Sequence, residues 1–191
     1  MDESMIGKIG VRLALFVAMG ATIGCDRVTK HVAATTLAGT PGRSFLADIV
    51  RLEYIENTGG FLSLGATLPL SARMALFTIG TGLMLLVVIA AATRCRWNDW
   101  PLLGFSLFVA GGASNWVDRV ARGSVVDFIN LGIGPVRTGI FNVADAAIML
   151  GVGVILAGLH SGKGARTGTG ASDLERPSDE PEGRRSNVNC R

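Results

Sequence analysis

Charge is scarce in this sequence, and so are the residue types that staple small domains or hold metals. Of 191 residues only 17% are charged, and tyrosine occurs once. The three cysteines, Cys25, Cys95 and Cys190, are scattered and odd in number, which excludes a disulfide framework and a CxxC metal site. Two histidines, His31 and His160, stand far apart without an HExxH pattern, so zinc chemistry is not expected and no metal or other cofactor is called for. The formal net charge is only +3 and forms no basic stripe, so no nucleic-acid partner is expected; the basic residues fit lipid-facing loops better.

What the chain has in abundance is apolar residues, at 49%, and they fall in blocks. That content, with so little charge, is too apolar for an ordinary soluble domain of this size. The blocks cover residues 13–25, 74–93, 101–117 and 138–159, the last broken only by Asp145. About 20 residues cross a hydrocarbon core, so the second block reads as a transmembrane helix and the third and fourth as further spans. The first is short and admits two readings. In "ATIGCDRVTK" the Gly24-Cys25 pair follows a basic head and an apolar run, as at the cleavage site of a lipoprotein precursor. Alternatively nothing is cut and the run is a membrane helix ending near Asp26 and Lys30, with Arg12 snorkelling.

Between the blocks, "DIVRLEYIEN" alternates as a half-buried strand, "NTGG" marks a turn, and "SVVDFINL" is a second β-prone run. The expected fold is an all-α membrane protein with four transmembrane helices and a small β-sheet subdomain at about residues 44–66. The extended segments after the first and third helices then lie on one side. Residues 1–160 form the membrane domain. The Gly-, Ser- and charge-rich residues 161–191 read as a disordered tail. Lys/Arg counts do not orient the bundle, because Arg27, Lys30, Arg43, Arg51, Arg73, Arg119, Arg122 and Arg137 collect on the loop-rich face. Those basic residues are expected to pair with acids there.

Polar residues in or at membrane helices are costly and functional by default. Asp26 and Lys30 are spaced i,i+4 as an acid-to-base pair, which alone would be an ordinary surface ion pair. In "GGASNWVDR", Asn115 and Arg119 share a helix face with Gly111, and Asp118 lies beside it; a hydrogen-bonded membrane clamp would explain them equally well. Asp127 in "VVDFI" sits among apolar neighbours, a setting that raises a carboxylate's pKa. Asp145 in "FNVADAAIML" lies in a first helical turn, where the helix dipole favours an anion, with Asn142 three residues before it. If the third and fourth helices are neighbours, Asp127 and Asp145 meet at one membrane face. Two close carboxylates share a proton, one then activating water while the other, protonated, polarises a carbonyl. A carboxylate-based ion or proton carrier is the alternative, since intramembrane acids also relay protons.

In order and spacing, "DRVTK", "ENTGGFLSLG", "GGASNWVDR", "VVDFI" and "FNVADAAIML" resemble the lipoprotein signal peptidase (signal peptidase II) family over residues 9–160. The resemblance implies a bacterial inner-membrane aspartic endopeptidase of four transmembrane helices. Both termini would be cytoplasmic, and the small β-sheet and active site would be at the periplasmic face. It would remove the signal peptide of a prolipoprotein by cleaving before its diacylglyceryl-modified cysteine, and the cyclic peptide globomycin would inhibit it. Membrane lipids and the prolipoprotein are the implied partners, and no dedicated interface is visible, so a monomer is expected. By the same resemblance Asp127 and Asp145 are the catalytic pair. Asn57, Gly59, Asn115, Arg119 and Asn142 line or support the site, with Asn142 a candidate donor to an oxyanion, and Asp26, Lys30 and Asp118 hold its architecture.

The chain departs from the family pattern in two places. Phe61 and Leu62 set the aromatic one position early after Asn57-Thr58-Gly59-Gly60, and Ser114 stands where glycine usually precedes the helix-three asparagine. A lipobox usually has leucine three residues before its cysteine, where this chain has Thr22, and cleavage would detach Asp26 and Lys30 from the first helix. The segment is therefore expected to remain uncleaved.

Overall fold

The computed structural model describes residues 3–97, 99–164 and 188–190. Its helices are α1 (Glu3–Thr36), α2 (Leu70–Arg73), α3 (Thr81–Arg94), α4 (Asp99–Arg122) and α5 (Val143–Gly164); a π-helical stretch, Met74–Gly80, joins α2 to α3 as one rod. The strands are β1 (Arg43–Phe45), β2 (Val50–Asn57), β3 (Cys95–Trp97), β4 (Val125–Ile133), β5 (Val136–Arg137) and β6 (Val188–Cys190).

There are thus four long helical rods. Among the described residues, Leu70–Ala92 alone is long and apolar enough to cross a membrane by length and composition, while Val143–Gly158 is a shorter apolar helix. α4 carries its charges at its two ends, Asp99 and then Asp118, Arg119 and Arg122, and in α1 the charges flank the uncharged residues 13–25. The first helix also overshoots its expected end, since six residues of α1 follow Lys30. Its threonines stay helical by bonding back one turn, Thr29 Oγ1 to the Cys25 carbonyl at 2.7 Å and Thr36 Oγ1 to that of Val32 at 2.7 Å.

α4 and α5 form the tightest helix pair, and glycine is why. A Cβ on Gly104 would lie 2.7 Å from the Gly151 carbonyl oxygen, and a Cβ on Gly111 would collide with that of Ala144. Small residues let the two backbones approach this closely, as at helix interfaces in lipid. On the other side of α4, the Thr78 carbonyl in the π-helical stretch accepts a hydrogen bond from Trp116 Nε1 at 2.8 Å in addition to the Thr81 backbone N–H.

Four antiparallel strands form one sheet in the order β1-β2-β4-β5, so the extended segments after α1 and α4 pair with each other on one side of the bundle. The sheet thus takes half its strands from residues 125–137, beyond the expected 44–66. The buried Val126 and Phe128 of β4 pack against Ala33 and Leu37 at the end of α1 and hold the sheet to the helices.

The pairing of β2 with β4 contains one register shift: Leu52 lies opposite Ile129, but Ile55 lies opposite Asp127. Three residues on β2 therefore span two on β4, a β-bulge. Because side chains alternate with period two, the extra residue exchanges the faces of everything after it. Asn57 is consequently opposite Val125 and on the face of Asp127. Without the shift, Glu56 would occupy that place.

At the other end of the helices, β3 pairs with β6. Residues 161–164 continue α5. The rest of the tail expected to be disordered, residues 165–187 and 191, lies outside the described residues.

Candidate active site

Asp127 and Asp145 arrive from different elements. Asp127 is the third residue of β4, five residues after the end of α4. Asp145 is in the first turn of α5, and Asn142 immediately precedes that helix. Asn142 Oδ1 accepts the Asp145 backbone N–H at 2.9 Å, and Asp145 Oδ2 accepts the Asn142 backbone N–H at 3.3 Å. This reciprocal pair is a capping box with asparagine at the N-cap and aspartate three residues on. Asp145 does serve as a helix N-terminal charge, and that role fixes where its carboxylate points.

Asn142 also joins the two acids. Its Nδ2 donates to Asp127 Oδ1 at 2.6 Å and to Asn115 Oδ1 at 3.2 Å, while Asn115 Nδ2 donates to Asp145 Oδ1 at 2.9 Å. The second Asp127 oxygen accepts from Asn57 Nδ2 at 2.8 Å, the contact that the bulge makes reachable. Asp127 is 1% exposed, Asp145 7% and Asn142 not at all. Among the described residues, neither aspartate has an ion-pair partner. Burial pushes the Asp127 carboxyl above the usual carboxylate range, and the amide hydrogen bonds from Asn57 and Asn142, with the more distant charges of Lys30 and Arg119, restrain the rise.

Asn57 and Gly59 build the loop beside Asp127. The Gly59 N–H donates to Asn57 Oδ1 at 2.9 Å, and Asn57 Nδ2 also reaches the Gly60 carbonyl at 2.9 Å. A Cβ at Gly59 would lie 2.5 Å from the Leu64 carbonyl oxygen and 2.9 Å from the Ala66 nitrogen, both backbone atoms, so the turn admits only glycine. Arg119 spans from α4 to this turn, its Nη2 donating to the Gly59 carbonyl at 2.7 Å. Its Nε is buried without an acceptor. Leu62, one of the two residues that depart from the family pattern here, packs where a Cβ on Gly139 would sit, so it ties the loop to the segment leading into Asn142.

Below this layer lies a charge cluster. Lys30, 3% exposed, donates to Asp118 Oδ2 at 2.8 Å and Asn115 Oδ1 at 2.7 Å, and its ammonium forms an ion pair with Asp26 Oδ2 at 2.7 Å. Asp26 Oδ1 accepts the Ala144 backbone N–H at 2.9 Å, so a residue of α1 caps the start of α5. Lys30 thus connects to both aspartates only through Asn115 and Asn142.

Every site residue expected from the sequence is therefore in this one assembly. Three further members were not among the residues expected to form the site. Arg27 Nη1 and Arg122 Nη2 both reach Asp118 Oδ1, at 2.5 and 2.6 Å. The i,i+4 spacing of Asp118 and Arg122 was a readable signal; nothing in the chain announced Arg27 as a partner 91 residues away. Ser114, the second departure, donates its hydroxyl to Asp26 Oδ2 at 2.7 Å, a bond that glycine could not make. The basic residues on this face are accounted for largely as expected. Arg27, Lys30 and Arg122 serve Asp26 and Asp118, and Arg51 and Arg137 serve Asp48.

A family model described as signal peptidase (SPase) II matches residues 18–160. A protein from Streptococcus pneumoniae named lipoprotein signal peptidase is 33% identical over 138 residues, covering 70% of this chain and 84% of its own. One of the same name from Rhodococcus jostii is 35% identical over 148 residues, covering 73% and 69%. Two solved structures, each described as a bacterial membrane enzyme, share the fold. One has a TM-score of 0.66 at 28% identity, covering 76% of this chain and 92% of that one. The other has 0.68 at 24%, covering 87% and 94%.

Proposed function

Because the chain belongs to the signal peptidase II family, we propose that Asp127 and Asp145 are the hydrolytic centre of a membrane protease that removes the signal peptide from prolipoproteins. The observation that carries the assignment is Asn142, which bridges two buried carboxylates that have no cation of their own. Such a pair favours the state with one proton between them. The ionised member takes a proton from water, and the protonated member polarises the scissile carbonyl.

Asn142 was expected to steady the oxyanion. Its amide protons are already committed to Asp127 and Asn115, so it positions the acids instead. Arg119 keeps a buried Nε–H without an acceptor and is the donor that remains for developing negative charge.

The four rods cross the inner membrane with both termini cytoplasmic, and the sheet and the aspartates are at the periplasmic face. A substrate whose acyl chains remain in the bilayer then presents its cleavage site at the one depth where lipid and water are both at hand. The carrier alternative is not favoured, since the acids cluster at one end instead of lining a path through the bundle.

The test follows conversion of a lipidated prolipoprotein by Asp127→Asn and Asp145→Asn. Each should lose about a hundred- to ten-thousand-fold in rate, the usual worth of a positioned acid or base. Retained cleavage in either variant refutes the pair. Loss of wild-type activity on adding a chelator would instead implicate a carboxylate-bound metal.

A further inference from the structure

The far half of the sheet is amphipathic, and its apolar face is bare. Leu131, Ile133, Phe45 and Val136 are related by register, Val50 being opposite both Leu131 and Phe45, and Ile133 opposite Val136. With Leu46 and Ile49 in the turn between β1 and β2, they form one apolar end, all 37–78% exposed and Ile133 and Val136 the most so at 78%. The opposite face at the same end is polar and fully knit. Arg51 lies opposite Asn130, Arg137 donates to the Asn130 side chain, and both arginines bond Asp48.

The direction of the bare face follows from its other end. Asp127, Ile129, Leu131 and Ile133 alternate along β4, so the apolar row continues the face that carries Asp127. At Asp127 that face looks onto Asn142 and the start of α5. The reverse face, through Val126 and Phe128, is covered by Ala33 of α1 and by Leu37 just past its end. Ala33 stands about 10 Å along α1 beyond Asp26 at 1.5 Å per residue, and Leu37 directly follows the last residue of that helix. One face of the sheet is therefore turned toward the helix ends and the other toward the overhanging tip of α1. Ile133 lies about 20 Å along β4 from Asp127 and is 78% exposed.

We infer that this end of the sheet is inserted into the outer leaflet, its six apolar side chains among the upper acyl carbons and the exposed Arg43 and Arg51 level with anionic lipid phosphates. The occupant is lipid because the face is turned to the bilayer side and has charge complementary to acidic headgroups on its rim. A patch of this kind is not left in water, and an amphipathic element with a basic polar side rests about 5–10 Å below the headgroups. The inference rests on the reading that the helices span the membrane with the site at the outer face.

The experiment places an environment-sensitive fluorophore at Ile133→Cys or Leu46→Cys in full-length protein lacking its own cysteines (Cys25→Ser, Cys95→Ser, Cys190→Ser), reconstituted in phosphatidylglycerol-containing vesicles. Leu86→Cys, on the exposed face of the long rod, is the control. Acyl-chain-brominated lipid should quench the label at positions 46, 86 and 133, and aqueous iodide should quench none of them. Quenching of 46 and 133 by iodide, with 86 still quenched by lipid, overturns the insertion while leaving the spans intact. Shielding of 46 and 133 from both quenchers also overturns it, in favour of a protein partner. Failure at 86 as well removes the spanning orientation itself.

Discussion

Lys30 offers the most demanding check on how this site is held together. Lys30→Met keeps the length of the side chain and removes its charge. Three contacts disappear, and Asp118 Oδ2 loses the only partner it has among the described residues, whereas Asp118 Oδ1 retains Arg27 and Arg122. Asp26 keeps the Ser114 hydroxyl and the Ala144 N–H, so it stays bonded but with its charge unbalanced. Removing one member of a buried ion pair costs about 3–5 kcal/mol, mostly for the charge left behind. Arg27 bonds the same aspartate, but its side chain is 37% exposed, and Arg27→Met should cost less than about 1 kcal/mol. At roughly 2–4 °C per kcal/mol for a chain of this size, Lys30→Met should lower the Tm by about 6–20 °C and Arg27→Met by less than about 4 °C. Thermal unfolding in detergent micelles measures both. About 1 M salt should erase the Arg27 effect and spare that of Lys30, because screening acts on exposed charges. Equal shifts for the two variants would show that burial does not set the strength of this cluster, and the reasoning would fail.

Other expectations concern the loop and the acids. Asn57 donates to Asp127 and so opposes the rise in pKa that burial causes; Asn57→Leu removes the donor and should move the acid limb of the kcat/KM profile to higher pH, since the ionised form then needs a higher pH to appear. An unchanged or lowered midpoint would contradict this. Gly59→Ala forces a Cβ onto immovable backbone and should cost about 1–3 kcal/mol in stability along with most cleavage activity. Gly24→Ala meets nothing within 4 Å in the middle of α1 and should raise stability by about 0.5–1 kcal/mol, both read by thermal melts.

The helices and both aspartates were legible because they rest on local signals: apolar block length, and acids set in apolar surroundings. The two long strands, β2 and β4, were legible for the same reason, since "RLEY" alternates and "VVDF" follows a glycine, whereas the short β3, β5 and β6 carry no such pattern. Asn142 was half legible. Its spacing to Asp145 was visible, but its third partner, Asp127, depends on where β4 ends up relative to α5. That Arg27 pairs with an acid was legible, but not which one, because the contact with Asp118 is decided by how α1 and α4 pack. The end of α1 was misplaced because the apolar run stops near Cys25, whereas the helix is prolonged by contacts of Ala33 and Leu37 that only the folded sheet supplies.

The bulge in β2 makes this strand a length gauge. Between Leu52 and Ile55 the number of residues matters more than their kind. Tyr54→Phe should be silent there, and deleting Tyr54 would heal the bulge with Asn57 still opposite Val125, whereas one residue added between Leu52 and Ile55, with a single bulge kept, would turn Asn57 away and set Glu56 on the face of Asp127, a third acid where an amide is needed. In this strand a change of letter is therefore tolerated where an added residue is not, a constraint invisible to any comparison that scores residue identity alone.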